Sequence, residues 1–258
     1  MEKISRQAFE NLMQEFGDDI VLNDMPEYAR VARVSNRLLI GNKDIRQIYD
    51  KSWTITVVNQ PVQNAFVLPS GNIFIFSGML DLCENDDQLA VIIGHEMAHS
   101  ILGHQAEQLT LASFVQVILF VPMALLWALM PNGGIAIVSD WFINKVSDIL
   151  IHLPFSRAME MEADEVGLVL AAKACFDVRE APALWERLEL MDDNPLSVDQ
   201  DFEFLATHPV HRTRYEKLSD QLFSALTLRS DCGCARLDPS SDPRLKIEDF
   251  KKFLRTSM

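Results

Sequence analysis

Ile93-Gly94-His95-Glu96-Met97-Ala98-His99 is the stretch on which the reading of this chain turns. Two histidines four residues apart on a helix lie about 40° apart around the axis and about 6 Å along it. Both imidazoles can therefore reach one metal ion, with Zn–N bonds of about 2.0–2.1 Å. Glu96, one step from His95, points beside that face. It is placed to hold a water and take its proton, the general-base role in metal-assisted hydrolysis. The competing reading is two chance histidines in an ordinary core helix.

The spacing matters only if the stretch is helical. Asn85, Asp86 and Asp87 supply cap candidates and negative charge at a helix start. Leu89, Ile92, Ile93, Met97 and Ile101 then recur at helical spacing, and no proline interrupts 86–109. A zinc helix is expected over 86–109.

Bulk properties bound the rest. A chain of 258 residues, 48% hydrophobic, is long enough for a substantial core. A formal net charge of −14 argues against nucleic acid, whose phosphates need clustered Lys and Arg. Four cysteines are too few for a disulfide scaffold. Cys83 and Cys175 sit in apolar-rich segments. A bond within Cys232-Gly233-Cys234 is strained, so a bond from Cys175 to Cys232 or Cys234 is expected; zinc binding by the C-x-C pair is the alternative. The first residues, Met-Glu-Lys-Ile-Ser-Arg, read neither as a signal core nor as a transit peptide. The expectation is a cytosolic protein or a processed or trimmed chain.

Outward from the motif, residues 3–17 and 26–40 read as amphipathic helices within an N-terminal region 1–50. Residues 53–58 are β-branched and strand-like. Asn64–Leu68 and Ile73–Phe76, joined by Pro69-Ser70-Gly71-Asn72, carry a hairpin signature, so a small sheet over 53–77 precedes the zinc helix. Residues 111–130 contain no charge and have the length that crosses a bilayer. After the turn at Pro131–Gly134, the return over 135–155 carries Asp140, Lys145 and Asp148, each costing about 2.5–3.5 kcal/mol at a bilayer centre. The 111–155 hairpin is therefore expected to lie in, on or partly within a membrane. Burial in the protein or in an interface between copies is the alternative. Helices are expected over 157–174, 178–191 and 209–227, then a linker at 237–245 and a short terminal helix in a 228–258 tail. The whole reads as a single domain.

A catalytic zinc takes three protein ligands and keeps a fourth position open. Gln105 stands where a third histidine would complete the longer histidine motif, and His104 falls about 140° round the helix from His99, poorly placed as a ligand. Glu160 and Asp164, four residues apart, share one face of the 157–174 helix. One carboxylate can bind metal and the other can hold a ligating histidine's far ring nitrogen. Spacing alone leaves Glu160 and Glu162 as rival ligands.

Gly-His-Glu-Met-Ala-His followed by Ser156-Arg-x-x-Glu-x-x-Ala-Asp-x-x-Gly167 resembles metallopeptidase family 48, which includes the CAAX prenyl proteases. The resemblance extends from the Asn64–Leu80 strand pair to Thr207-His208-Pro209 and Arg214. It implies an α+β, mostly helical zincin-type fold with a small antiparallel sheet beside the zinc helix and a hydrophobic hairpin insert. It implies one Zn2+ per chain on His95, His99 and Glu160, with Asp164 behind them and Glu96 as base. His208, with Arg214, would stabilise the oxyanion. A protein substrate would be bound as an added strand along Asn72, Ile73, Phe74, Ile75 and Phe76. His211 matches no role and reads as a surface residue. The likeness is nearest a mitochondrial inner-membrane branch of the family, with the catalytic part facing the intermembrane space, a role in stress response and quality control, and the dynamin-like fusion GTPase among the substrates. A silent zinc-stabilised scaffold or chaperone, and a prenyl-protein protease, are the alternative functions.

Overall fold

The computed structural model describes residues 2–108, 110, 155–192, 203–209 and 212–257. The expected hairpin over 111–155 lies outside them except for Phe155, as does His211. In chain order the elements are α1 (Glu2–Glu15), a 3-10 turn at Gly17–Asp19, α2 (Pro26–Gly41), α3 (Arg46–Tyr49), β1 (Thr54–Val58), β2 (Ala65–Val67) and β3 (Asn72–Phe76). Then follow α4 (Ser77–Leu82), α5 (Asp86–Leu102), α6 (Arg157–Lys173), α7 (Glu180–Asp192), α8 (Glu203–Thr207), α9 (Arg212–Asp231), a 3-10 turn at Pro239–Ser241 and α10 (Pro243–Ser257). The architecture is α+β and mostly helical, as the sequence implies.

The sheet is mixed instead of antiparallel. Its order is β1-β3-β2, with β3 parallel to β1 in the register Thr54↔Asn72 to Val58↔Phe76 and antiparallel to β2 in the register Ala65↔Ile75 to Val67↔Ile73. The expected hairpin forms, with Gly71 at φ +95° in its turn, a conformation glycine adopts without steric cost. The chain then inserts β3 between its two predecessors. Ile73 and Ile75 face the main core, while Phe74 and Phe76 face a second cluster with Phe9, Leu12 and Met13 of α1 and Phe16 just after it. Burial on both faces explains why Ile73–Phe76 of β3 is an unbroken apolar run.

Beneath β2 lies α5, packed on α2, α6 and α7. Of the three cap candidates, Asn85 takes the role, its side chain accepting from the Gln88 N–H. Asp86 instead binds Arg30 and Arg33 of α2. The helix ends earlier than expected. Gly103, at φ +78°, adopts the left-handed C-cap conformation, and helical backbone resumes at 104–108. Ser156 caps α6 by accepting from the Met159 N–H. A disulfide joins Cys175 to Cys234, leaving Cys83 buried and Cys232 exposed as thiols. Among the described residues no helix is long and apolar enough to cross a membrane.

Candidate active site

Every residue of α5 from Gln88 to Ser100 is buried. A helix apolar nearly all round belongs in a core, so His95, Glu96 and His99 are polar groups taken out of water and must find partners. They find them on α6, which crosses α5 where Gly94 meets Gly167; a Cβ on Gly94 would stand 3.2 Å from the Gly167 carbonyl oxygen. That approach brings Glu160, on the buried face of α6, against both histidines.

The donor atoms have the spacing of a metal site. His95 Nε2 is 3.1 Å from His99 Nε2. Glu160 Oε2 is 3.4 Å from His95 Nε2, and Glu160 Oε1 is 3.2 Å from His99 Nε2. Metal–ligand bonds of 2.0–2.1 Å in a tetrahedron put ligand atoms about 3.3 Å apart. All three edges fit. Two imidazole nitrogens directed at each other at this distance also need a cation or a proton between them. Spacing left Glu162 as a rival; its carboxylate is 60% exposed and lies away from the cluster, beside His104.

Both histidines present Nε2 inward and are held from behind at Nδ1. His95 Nδ1 lies 3.0 Å from Asp164 Oδ1, and His99 Nδ1 lies 2.9 Å from His104 Nδ1. Asp164 thus stands where a carboxylate behind the ligand was expected. His104 was not expected there. The left-handed turn at Gly103 folds it back under His99, and the Leu-Gly pair after an apolar helix was the available signal.

Arg214 lies elsewhere than expected. Its Nε and Nη2 donate to the two oxygens of Asp164 at 2.7 and 2.8 Å, and Nη1 is 2.8 Å from Glu160 Oε2. Its guanidinium lies over the Trp185 ring, 3.6 Å from the centroid. Engaged with both acids, it positions them from behind, so the expectation of an oxyanion donor is corrected.

His208 does reach the reacting face. Its Nε2 is 3.2 Å from Glu96 Oε1 and its Nδ1 is 3.0 Å from Glu160 Oε1. The ring is stacked between Phe204, centroid distance 4.6 Å, and Phe155, 5.3 Å. Phe155 also covers His99 at 4.1 Å. Neither phenylalanine was singled out by the sequence reading.

The electrostatics follow from burial and charge. Burial pushes Glu96 upward in pKa, against the opposing pull of His208 and His95. Burial would also raise Glu160, but His208 and His95 outweigh it and hold the carboxylate ionised. For Asp164 burial is outweighed by Arg214, giving a value of about 2. Burial disfavours a charged His95, yet Glu160 and Asp164 lift it to about 9. Burial dominates at His99 and lowers it well below the ordinary imidazole value.

The substrate strand also needs correction. Asn72–Phe76 is the central strand, its backbone engaged by β1 on one side and β2 on the other. A peptide has no edge to join there. The edge nearest the site is β2. Leu68 and Asn64 pair with β3, so alternation turns the backbone N–H and C=O of Ala65 and Val67 away from β3, while their side chains stay buried. The Val67 backbone lies beside Glu96 and helps draw its pKa down against burial, and the Val67 carbonyl accepts from Gln105 Nε2 at 3.0 Å. The far edge of β1 is covered, with the Val21 N–H bonded to the Val57 carbonyl.

Comparison with known proteins agrees with this geometry. The chain is 42% identical to "Metalloendopeptidase OMA1, mitochondrial" of Danio rerio over 92% of its own length and 49% of the relative's. The human protein of the same name is 36% identical over 98% and 48%. "Mitochondrial metalloendopeptidase OMA1" of Schizosaccharomyces pombe is 33% identical over 90% and 64%. The chain spans about half the length of the zebrafish and human relatives. The model of Peptidase family M48 matches residues 27–222, most of the chain and the whole of the site, and the chain belongs to that family.

Proposed function

We propose that the chain is the catalytic region of a zinc-dependent endopeptidase. The observation that carries this is the place of Glu96. Three buried donors, His95, His99 and Glu160, form a tetrahedral face, and Glu96 stands beside it, outside the set. A structural site has no use for such a carboxylate, whereas hydrolysis needs one. A two-histidine, one-glutamate set is a catalytic zinc set. Zinc held there would act as a Lewis acid on the scissile carbonyl and make a water easier to deprotonate.

The chain's own residues supply the proton path. Glu96, raised by burial, accepts the proton of the attacking water and delivers it to the leaving amine. His208, 3.2 Å from Glu96 and held between two phenylalanines, donates to the developing oxyanion. The substrate lies extended along the outward edge of β2, bonding at Ala65 beside the Val67–Glu96 contact. That mode reads backbone more than side chains, so access to the strand governs which proteins are cut.

The likeness to mitochondrial relatives supports a mitochondrial enzyme of protein quality control. Membrane substrates, an inner-membrane site and attachment through 111–155 belong to this proposal. So does a homo-oligomeric assembly.

Glu96→Gln tests the reading. The variant is expected to bind zinc with unchanged stoichiometry and to lose about a hundred- to ten-thousandfold of peptide cleavage. Cleavage at the wild-type rate overturns it. One rival follows from His208, whose ring nitrogen lies within 4.8 Å of the other donors. As a fourth ligand it would close the site into a structural one. His208→Asn distinguishes the two: retained zinc with slowed cleavage supports the open site, and lost zinc supports the closed one.

A further inference from the structure

Asp164 holds His95 from behind, but among the described residues no carboxylate does the same for His99. His104 stands there instead. It is 3% exposed, and its Nδ1 is 2.9 Å from His99 Nδ1. Two ring nitrogens at that distance share one proton, one donating and the other accepting. His99 turns Nε2 toward His95 and Glu160, and a metal held there would take the Nε2 lone pair and leave the ring proton on Nδ1. His99 is then the donor. His104 Nδ1 is the acceptor, which places the His104 proton on Nε2, facing Glu162 Oε2 at 3.5 Å.

From this we infer that His104 is a positioning residue of the metal site, fixing the tautomer and ring plane of His99 as Asp164 does for His95. The inference deepens the metal site proposed above and rests on it. Among the described residues, His99 Nδ1 has no other hydrogen-bond partner than His104. His99 is fully buried, with Phe155 over its ring at 4.1 Å and 31°. Without His104, its Nδ1–H would face apolar atoms and the ring would be free to turn. The backbone is built for this contact. Only because Gly103 takes φ +78° does residue 104 return beneath the last turn of α5.

His104→Asn and His104→Phe separate acceptor chemistry from packing. An asparagine Oδ1 can occupy the place of imidazole Nδ1, and phenylalanine fills the ring volume without accepting. Zinc affinity is measured by chelator competition on the full chain, with thermal unfolding of the metal-free proteins alongside. Removal of such a partner typically costs about ten- to a hundredfold in metal affinity. That loss is expected for His104→Phe, with His104→Asn within about threefold of wild type. Long-range 1H–15N spectra of the zinc-loaded wild type should show His99 protonated at Nδ1 and His104 at Nε2. Equal zinc affinity in wild type and His104→Phe would overturn the inference, as would equal losses in both variants or a His104 proton on Nδ1. Failure of the wild type itself to bind zinc would instead strike the metal site.

Discussion

Gly167 stands directly against His95: a Cβ built on Gly167 would lie 3.0 Å from the His95 backbone nitrogen and 3.1 Å from the Gly94 carbonyl carbon. The neighbours are helical backbone and cannot swing aside. Gly167→Ala must therefore push α6 away from α5 by a few tenths of an ångström, and Glu160 and Asp164 ride on α6. Overpacking of this kind costs about 1–3 kcal/mol, partly offset by the roughly 1 kcal/mol helix preference of alanine over glycine. The expected outcome is a modest fall in urea midpoint together with a clear loss of zinc affinity. A more stable variant with wild-type affinity would show that the glycine pair does not set the ligand spacing.

Arg214 carries a second prediction. It is buried with Asp164 and Glu160 and stacked on Trp185. Arg214→Met leaves two buried carboxylates short of their cation, and breaking a buried pair in this way costs about 3–5 kcal/mol. Arg214→Lys keeps the charge but loses the fork that binds both Asp164 oxygens. Lysine should recover part of the stability while leaving metal affinity low. Full proteolysis by Arg214→Lys would mean that a point charge suffices.

Much of this site was legible before the structure. The helical spacing of His95 and His99 and the shared face of Glu160 and Asp164 are local periodicities, which helices preserve. What was lost lay at element ends and between elements. Gly103 reads as one more residue in a proline-free helix, which puts His104 about 140° round from His99; the left-handed turn instead brings it back beneath His99 and buries it. The hairpin of β2 and β3 was readable, but insertion of β3 beside β1 is a tertiary choice that no strand pattern encodes. That single choice moves the edge nearest the site from Ile73–Phe76 to β2, where Val67 is already engaged and Ala65 is left as the bonding position. Likewise Arg214 carries the same charge whether it faces a substrate or Asp164. Only the packing of α9 on α6 decides which.

The Cys175–Cys234 bond offers a third test. It closes a loop of 59 residues that contains α7, α8 and all of α9. Closure of that length is worth about 4 kcal/mol in a chain-entropy estimate. Cys175 also sits at φ +63°, an uncommon conformation for a non-glycine residue, with Arg229 donating to its carbonyl. Cys234→Ser should lower stability by about 2–4 kcal/mol and leave folded-state zinc affinity unchanged, because the bond lies outside the ligand set. Coupled loss of zinc binding at temperatures where the variant is folded would contradict this separation.

The pH dependence of stability should invert on metal binding. In the metal-free chain His95 has its value lifted from 6.5 to about 9, the Glu160 and Asp164 carboxylates outweighing burial. A raised folded-state value means that folding takes up a proton. Its contribution is complete below pH 6.5 and drains away as pH rises through about 9. Zinc takes the place of that proton at His95 Nε2, so binding must displace it and strengthens over the same window. The melting temperature of the metal-free chain is therefore expected to fall from pH 7 to pH 9, while the gain on adding zinc grows. Scanning calorimetry at fixed free zinc, buffered across that range, measures both slopes. A metal-free stability that rises with pH would show that the two carboxylates hold no proton at His95, and the cluster would then need another cation to balance its charge.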